Sequence, residues 1–403
     1  MMRHCQRYLC FMVIATIIVS CKKAYDPPAI SVPGSYLVVE GVINNGPDST
    51  IFKLSHTVNL SSKTTVNPVS GAVLTIESDQ NTIYNLSETS KGTYAIGSLN
   101  LDNSRKYRLR IKTANDEYLS DFVPVVNAPP IDTVNFEIES NGVQINVSTH
   151  NPVNNTKYYR WDYRETWVFH SFFESGYKSN GDTVIERVFP ADEVYTCWGN
   201  NTSSTIVLGS SAKLSQNIIS NNPVTFVPST SEKLGSKYSI LVREYALTPE
   251  GYTFWQTLKK NTEQLGSIFD AQPSQTNGNI HSTKNQAEVV VGYVSAGAVT
   301  SKRIFIANQQ LPAWLPAQPY PNCALDSIFL QYKPAGATVA VNQENVFFNY
   351  NHLANPKDAL IPVTAIIFIP LIGPEIVLGH TGAEPECVDC TLRGTNKQPA
   401  FWK

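Results

Sequence analysis

Charge is scarce in this sequence. Asp, Glu, Lys and Arg make up 16% of its 403 residues, and 31 basic side chains meet 33 acidic ones. A chain this near neutrality sets up no field to gather nucleic acid, so no nucleic-acid partner is expected. The motifs of several enzyme classes are missing too. No Gly-x-Ser-x-Gly elbow presents a nucleophilic serine. No His-Glu-x-x-His run offers zinc two ligands from one helix face, and no Gly-rich loop ending in Lys cradles a phosphate. Gly394-Thr-Asn-Lys397 lacks the preceding glycine and the strand–helix setting. His56, His150, His170, His281, His352 and His380 stand far apart, as surface or core residues do. The expectation is a protein that is not an enzyme, with no cofactor and no metal. Fixed-period repeats are also missing. So are long hydrophobic runs beyond the N-terminus: the most apolar stretch, Ala359 to Leu378, is interrupted by Pro362, Pro370, Gly373 and Pro374. It reads as two buried strands with a turn between them.

The N-terminus is where a signal stands out. Arg3 and Arg7 form a short basic region, and Tyr8 to Val19 is uncharged and mostly apolar. That run of about 12 residues suits a secretory signal and falls short of the ~20 needed to span a bilayer as a helix. It ends Ile18-Val19-Ser20-Cys21. An aliphatic residue, a tolerated one, a small one and then Cys is a bacterial lipobox, in which the thiol accepts a diacylglyceryl group. Residues 1–20 are therefore expected to be removed as a signal peptide, with Cys21 lipidated and holding the protein on a membrane. Residues 21–35, with Pro27, Pro28 and Pro33, read as the tether. Removal of the signal leaves 29 basic residues against 33 acidic, a net charge of about −4.

Of the seven cysteines, Cys5 and Cys10 leave with the signal and Cys21 takes the lipid. Cys197, Cys323, Cys387 and Cys390 remain, an even number suited to two disulfides in an oxidising compartment. Four cysteines allow three pairings and the sequence does not choose among them; Cys197–Cys323 with Cys387–Cys390 is the pairing favoured here. The Cys387-x-x-Cys390 spacing is that of a redox pair. A thioredoxin-type site needs a helix after its first cysteine, and Gly394 and Pro399 follow too closely to allow one, so a structural disulfide is expected.

Short alternating runs, rich in β-branched and aromatic residues and separated by turns, mark strands at 36–40, 50–54, 72–76, 82–86, 92–96, 106–111 and 117–122. This pattern predicts a mainly β protein with an immunoglobulin- or fibronectin-like β-sandwich over 36–126. The Pro-rich 123–130 stretch marks a boundary. A larger β-rich region of one or two domains follows over 127–403, with strands at 206–208, 224–227, 238–245, 288–294 and 303–306. One helix is expected near 248–269. Thr248 caps it, Pro249 occupies its first turn and Glu250 faces its positive end. Trp255, Leu258, Leu265 and Ile268 share a face, with Gly251 a weak point.

Tyr159, Trp161, Tyr163 and Trp167 alternate along one strand. They form either a buried face, the commoner outcome, or a sugar-stacking platform with Trp161 and Trp167 as ligand contacts. Arg160, Asp162, Arg164 and Glu165 read as a solvated face.

Several stretches together carry a resemblance: Leu37-Val-Val-Glu-Gly-Val-Ile43, Tyr158-Tyr-Arg-Trp-Asp-Tyr163, Glu165-Thr-Trp167, Cys197-Trp198 and Lys237-Tyr-Ser-Ile-Leu-Val242. To these are added Phe254 to Glu263, Leu265 to Ser274, Gly278-Asn-Ile280, Lys302-Arg-Ile-Phe-Ile306 and the final Cys387–Trp402 segment. The chain resembles the Bacteroidetes lipoproteins of domain-of-unknown-function family 4249. The resemblance implies a lipoprotein anchored to the outer membrane, with an immunoglobulin-like N-terminal part. It also implies an accessory or binding role beside a TonB-dependent receptor, and it carries no catalytic residues. Lys22-Lys23-Ala24 stands where surface-directed lipoproteins of that phylum often carry acidic residues, which leaves the periplasmic or cell-surface face open. The expected function is a binding or accessory lipoprotein with a nutrient or polymer ligand. The alternatives are a glycan-binding or adhesive module, or a hydrolase whose site would be a concave cleft of converging carboxylates or histidines.

Overall fold

Alternation in the first strands does what it should: Leu37 and Val39, Phe52 and Leu54, Leu74 and Ile76, and Tyr107, Leu109 and Ile111 all point into one core. The computed structural model describes residues 36–58, 66–152, 156–263, 278–316, 319–320 and 322–403. The expected signal peptide over 1–20, the lipidation site Cys21, the tether over 21–35 and the end of the helix beyond Glu263 lie outside the described residues.

The chain is mainly β. In the first sandwich, Ile83–Ser90 belongs to both sheets. Its first half pairs with Val73–Ser78, which continues to Lys106–Lys112 and Glu117–Ser120. Its second half pairs with Thr93–Ile96, which continues to Thr50–His56 and Leu37–Gly41. Both sheets gain a strand from far along the chain. Ile280–Ser282 adds antiparallel to Glu117–Ser120, and Val290–Val291 adds parallel to Leu37–Gly41. Ile280, Val290, Val294 and Ala296 complete the same core. The unit read as 36–126 is thus finished by residues that the sequence places within the 127–403 region.

A second sandwich packs Ile131–Glu139, Gly142–His150 and Ile218–Pro228 against a larger sheet. The larger sheet runs Thr196–Thr202, Tyr158–His170, Lys237–Leu247, Thr300–Ala307, with Val207–Ser210 also on Tyr158–His170. The helix Pro249–Glu263 follows directly. Its start is capped as expected, with the Gly251 amide donating to Thr248 Oγ1 at 3.2 Å. Gly251 is where the helix meets Tyr293, since a Cβ there would lie 3.0 Å from the ring. The remaining sheet has Ile376–Ala383 between Asp326–Phe329 and Ile361–Phe368, with Val363 and Ala383 in a small core beside Cys387 and Val388.

Candidate functional site

The aromatic strand Tyr158–His170 is buried along most of its odd-numbered face and partly covered on the other, where Arg164 is exposed. On the odd-numbered face Trp161 is 0% exposed, and it donates from Nε1 to Glu244 Oε2 at 2.8 Å. A Cβ on Gly209 would lie 2.7 Å from its ring, so the indole lies directly on that backbone. Trp161 is therefore an enclosed core residue. Trp167 is half-buried over Gly199, where a Cβ would come within 2.5 Å, and the Lys233 ammonium sits 5.3 Å from its ring centre. Glu165, read as solvated, is instead buried. It shares the odd parity of the aromatics, and it accepts from Tyr238 Oη at 2.8 Å, Lys233 Nζ at 2.6 Å and Asn201 Nδ2 at 3.0 Å.

On the even-numbered face Arg164 is exposed, as expected, while Arg160 and Asp162 are held by partners. Asp162 takes Arg243 Nε at 2.6 Å and Tyr245 Oη at 2.8 Å. The Arg160 guanidinium stacks between the rings of Tyr245 and Trp255, 4.1 and 4.3 Å from their centres. Trp255 belongs to the helix, which thus covers Arg160. Glu244 is also turned into the apolar core of the second sandwich, beside Trp161. Burial raises its pKa to about 7, against the opposing effect of hydrogen bonds from Trp161 and Thr149.

The four candidate cysteines form two disulfides, with a pairing that corrects the expectation. Cys197 joins Cys390 and Cys323 joins Cys387, with Cα–Cα separations of 5.7 Å in both. Cys387 sits in the short helix Pro385–Val388 and Cys390 opens a 3₁₀ turn, and these elements place the two thiols beside different partners. The Cys387-x-x-Cys390 pair is consequently no redox dithiol. The C-terminal segment is bound to the second sandwich beyond its disulfide. Trp198 and Thr395 exchange backbone hydrogen bonds, and Trp402 packs edge-on against Trp198 and Phe305.

A concavity of about 670 Å³ lies between the helix and the first sandwich. Asp121, Phe122, Thr248, Glu250, Phe254 and Tyr293 line it. Asp121 pairs with His281 at 3.6 Å, and both side chains are more than half exposed, so this is a solvated pair. Among the described residues no cluster of His, Cys, Asp and Glu is arranged to hold a metal ion. No described helix is long and apolar enough to cross a membrane.

The surface feature that stands out is the hairpin Ile361–Phe368/Ile376–Ala383. The expected two strands and turn are there, but only their base is buried. Every apolar side chain from Ile367 to Ile369, at Leu371 and Ile372, and from Ile376 to Leu378 is exposed. Leu371 and Ile372, at the turn, are 106% and 94% exposed. The base is firmly held. His380 Nδ1 meets Glu344 Oε1 at 2.7 Å, and the hydroxyls of Thr364 and Thr381 meet at 2.8 Å. The sequence showed this run to be apolar. That its distal half has no core to enter depends on tertiary placement.

A family model described as a domain of unknown function, DUF4249, matches residues 22–303. No curated protein matches. Among solved structures, the chain is similar to a two-domain fibronectin type III segment of chicken tenascin, at 10% identity and a TM-score of 0.15, over 53% of this chain and 93% of that one. It is also similar to the Yersinia pseudotuberculosis adhesin InvE, at 13% identity and a TM-score of 0.14, over 53% of this chain and 55% of that one.

Proposed function

The chain belongs to the DUF4249 family, and from that premise we propose that it is a lipid-anchored binding or accessory protein of the outer membrane, working beside a TonB-dependent receptor. The observation that carries this reading is the lipobox Ile18-Val19-Ser20-Cys21 and the polar, Pro-containing tether after it. Two or more acyl chains on Cys21 make anchoring durable, because each buried methylene contributes roughly 0.8 kcal/mol. A glycan-binding role for the aromatic strand loses support, because Trp161 is enclosed and Trp167 is half-covered by Lys233 and Gly199.

Two measurements test the proposal. Metabolic labelling with radioactive palmitate should mark the wild-type protein and leave Cys21→Ala unmarked; equal labelling of both would remove the anchor. Affinity purification from gently solubilised outer membranes should bring down a TonB-dependent receptor in stoichiometric amount. A solitary protein in repeated purifications would rule the receptor out.

A further inference from the structure

We propose that the turn of the Ile361–Phe368/Ile376–Ala383 hairpin inserts into the headgroup–acyl boundary of a lipid bilayer, giving the protein a second contact with the membrane besides Cys21. The inference extends the anchoring reading above and rests on it for the membrane concerned.

The first argument is that the exposure has two sides. Consecutive strand residues point to opposite faces, and here neighbours of both parities are bare: Ile367 with Phe368, and Ile376 with Val377. A groove on a partner protein covers one face of a hairpin and leaves the other wet. A bilayer surrounds a tip from all sides. The second argument is composition. From Ile366 to Pro374 there is no charged residue, and Glu375 is the only one up to Leu378. Such a patch on a soluble surface marks an interaction site.

The third argument concerns the backbone. Unpaired N–H and C=O groups keep irregular chain out of the hydrocarbon core, so a tip can enter only as far as the interface, where water and headgroups still reach it. Pro370 and Pro374 have no N–H to desolvate, which lowers the cost for this turn. The paired strands behind it, held at their base by His380–Glu344 and Thr364–Thr381, present Leu371 and Ile372 as a stiff apolar point.

The test uses the full lipidated protein in vesicles of phosphatidylethanolamine and phosphatidylglycerol. All four described cysteines are in disulfides, so Ile372→Cys takes an environment-sensitive fluorophore at one place. Leu214→Cys, on an exposed loop of the second sandwich, is the control. The label at 372 should shift to the blue and be quenched roughly twofold by nitroxide lipids carrying the spin near the headgroup, while the label at 214 should respond to neither. Adding Leu371→Asp should abolish the shift at 372. A label at 372 that stays water-like in vesicles overturns the proposal. So does one shielded only in native membranes and cross-linked there to a protein. A lipidated protein with an unquenched tip would refute the insertion and leave the anchor intact. An unlipidated protein whose tip is quenched by added vesicles would do the reverse.

Discussion

Glu244 sits in the second sandwich between Trp161 and Thr149, whose side chains donate to its two oxygens at 2.8 and 3.1 Å. Burial makes the charged form costly and raises the pKa from 4.5 to about 7. The folded state therefore holds a proton that the unfolded chain releases. The stability contributed by this protonated acid is complete below about pH 4.5, and it is lost as the pH rises through about 7. A shift of this size corresponds to something on the order of 3 kcal/mol. Glu244→Gln keeps an acceptor for Trp161 and carries no charge at any pH. Urea unfolding across a pH series should find the variant about as stable as wild type in mild acid. It should be more stable by about 2–3 kcal/mol in mild alkali. A difference that does not change with pH would mean that the carboxyl is not held in this way. Trp161 belongs to the same unit. Trp161→Ala should unfold the sandwich, at a cost of about 3–5 kcal/mol, rather than remove a ligand from a folded protein.

At the scale of elements, the short helix Pro385–Val388 and the turn after it divide two cysteines that the sequence sets three residues apart. The Cys197–Cys390 bond spans 193 residues and Cys323–Cys387 spans 64. Removing Cys197 and Cys390 together should lower stability by about 3–5 kcal/mol, because bridges across long stretches restrict the unfolded chain most. Non-reducing peptide mapping should recover 197 linked to 390, and a 387–390 peptide would contradict the fold. What the sequence could and could not reveal divides on the same ground. The strands of the first sandwich were legible, because their alternation is local and one face of each is buried. The helix start was legible from Thr248, Pro249 and Glu250. The hairpin Ile131–Glu139/Gly142–His150 was missed, although Val134, Phe136 and Ile138 alternate and Asn141-Gly142 follows, a strong short-range turn signal. Glu165 was misread although its parity matches that of Trp161. The pairing of the cysteines, the helix covering Arg160 and the bare hairpin were not legible. Each depends on contacts between residues far apart in the chain.

In the whole molecule, the chain passes between its two sandwiches more than once. It leaves the first near Val126 and builds most of the second. After the helix it returns at 278–297, then re-enters the second at Thr300–Ala307. The outgoing and returning segments run side by side: Val126 and Ala128 donate backbone hydrogen bonds to Ala296 and Ala298 at 2.8 and 3.0 Å, and Thr300 Oγ1 donates to the Pro129 carbonyl at 2.8 Å. The first sandwich therefore depends on a segment more than 150 residues beyond its other strands. Burying Ile280, Val290 and Val294 is worth about 1.5–3 kcal/mol per side chain, a sum comparable with the whole stability of a small domain. A fragment of residues 36–126 should accordingly lack a cooperative urea transition and dispersed amide resonances. The same fragment carrying 278–298 on a flexible linker should regain both. If 36–126 alone unfolds as cooperatively as the grafted chain, the returning segment is a surface addition to a sandwich complete without it. If only the graft folds, the first sandwich is complete only once the returning segment is in place, and its folding waits on residues that follow most of the second sandwich in the chain.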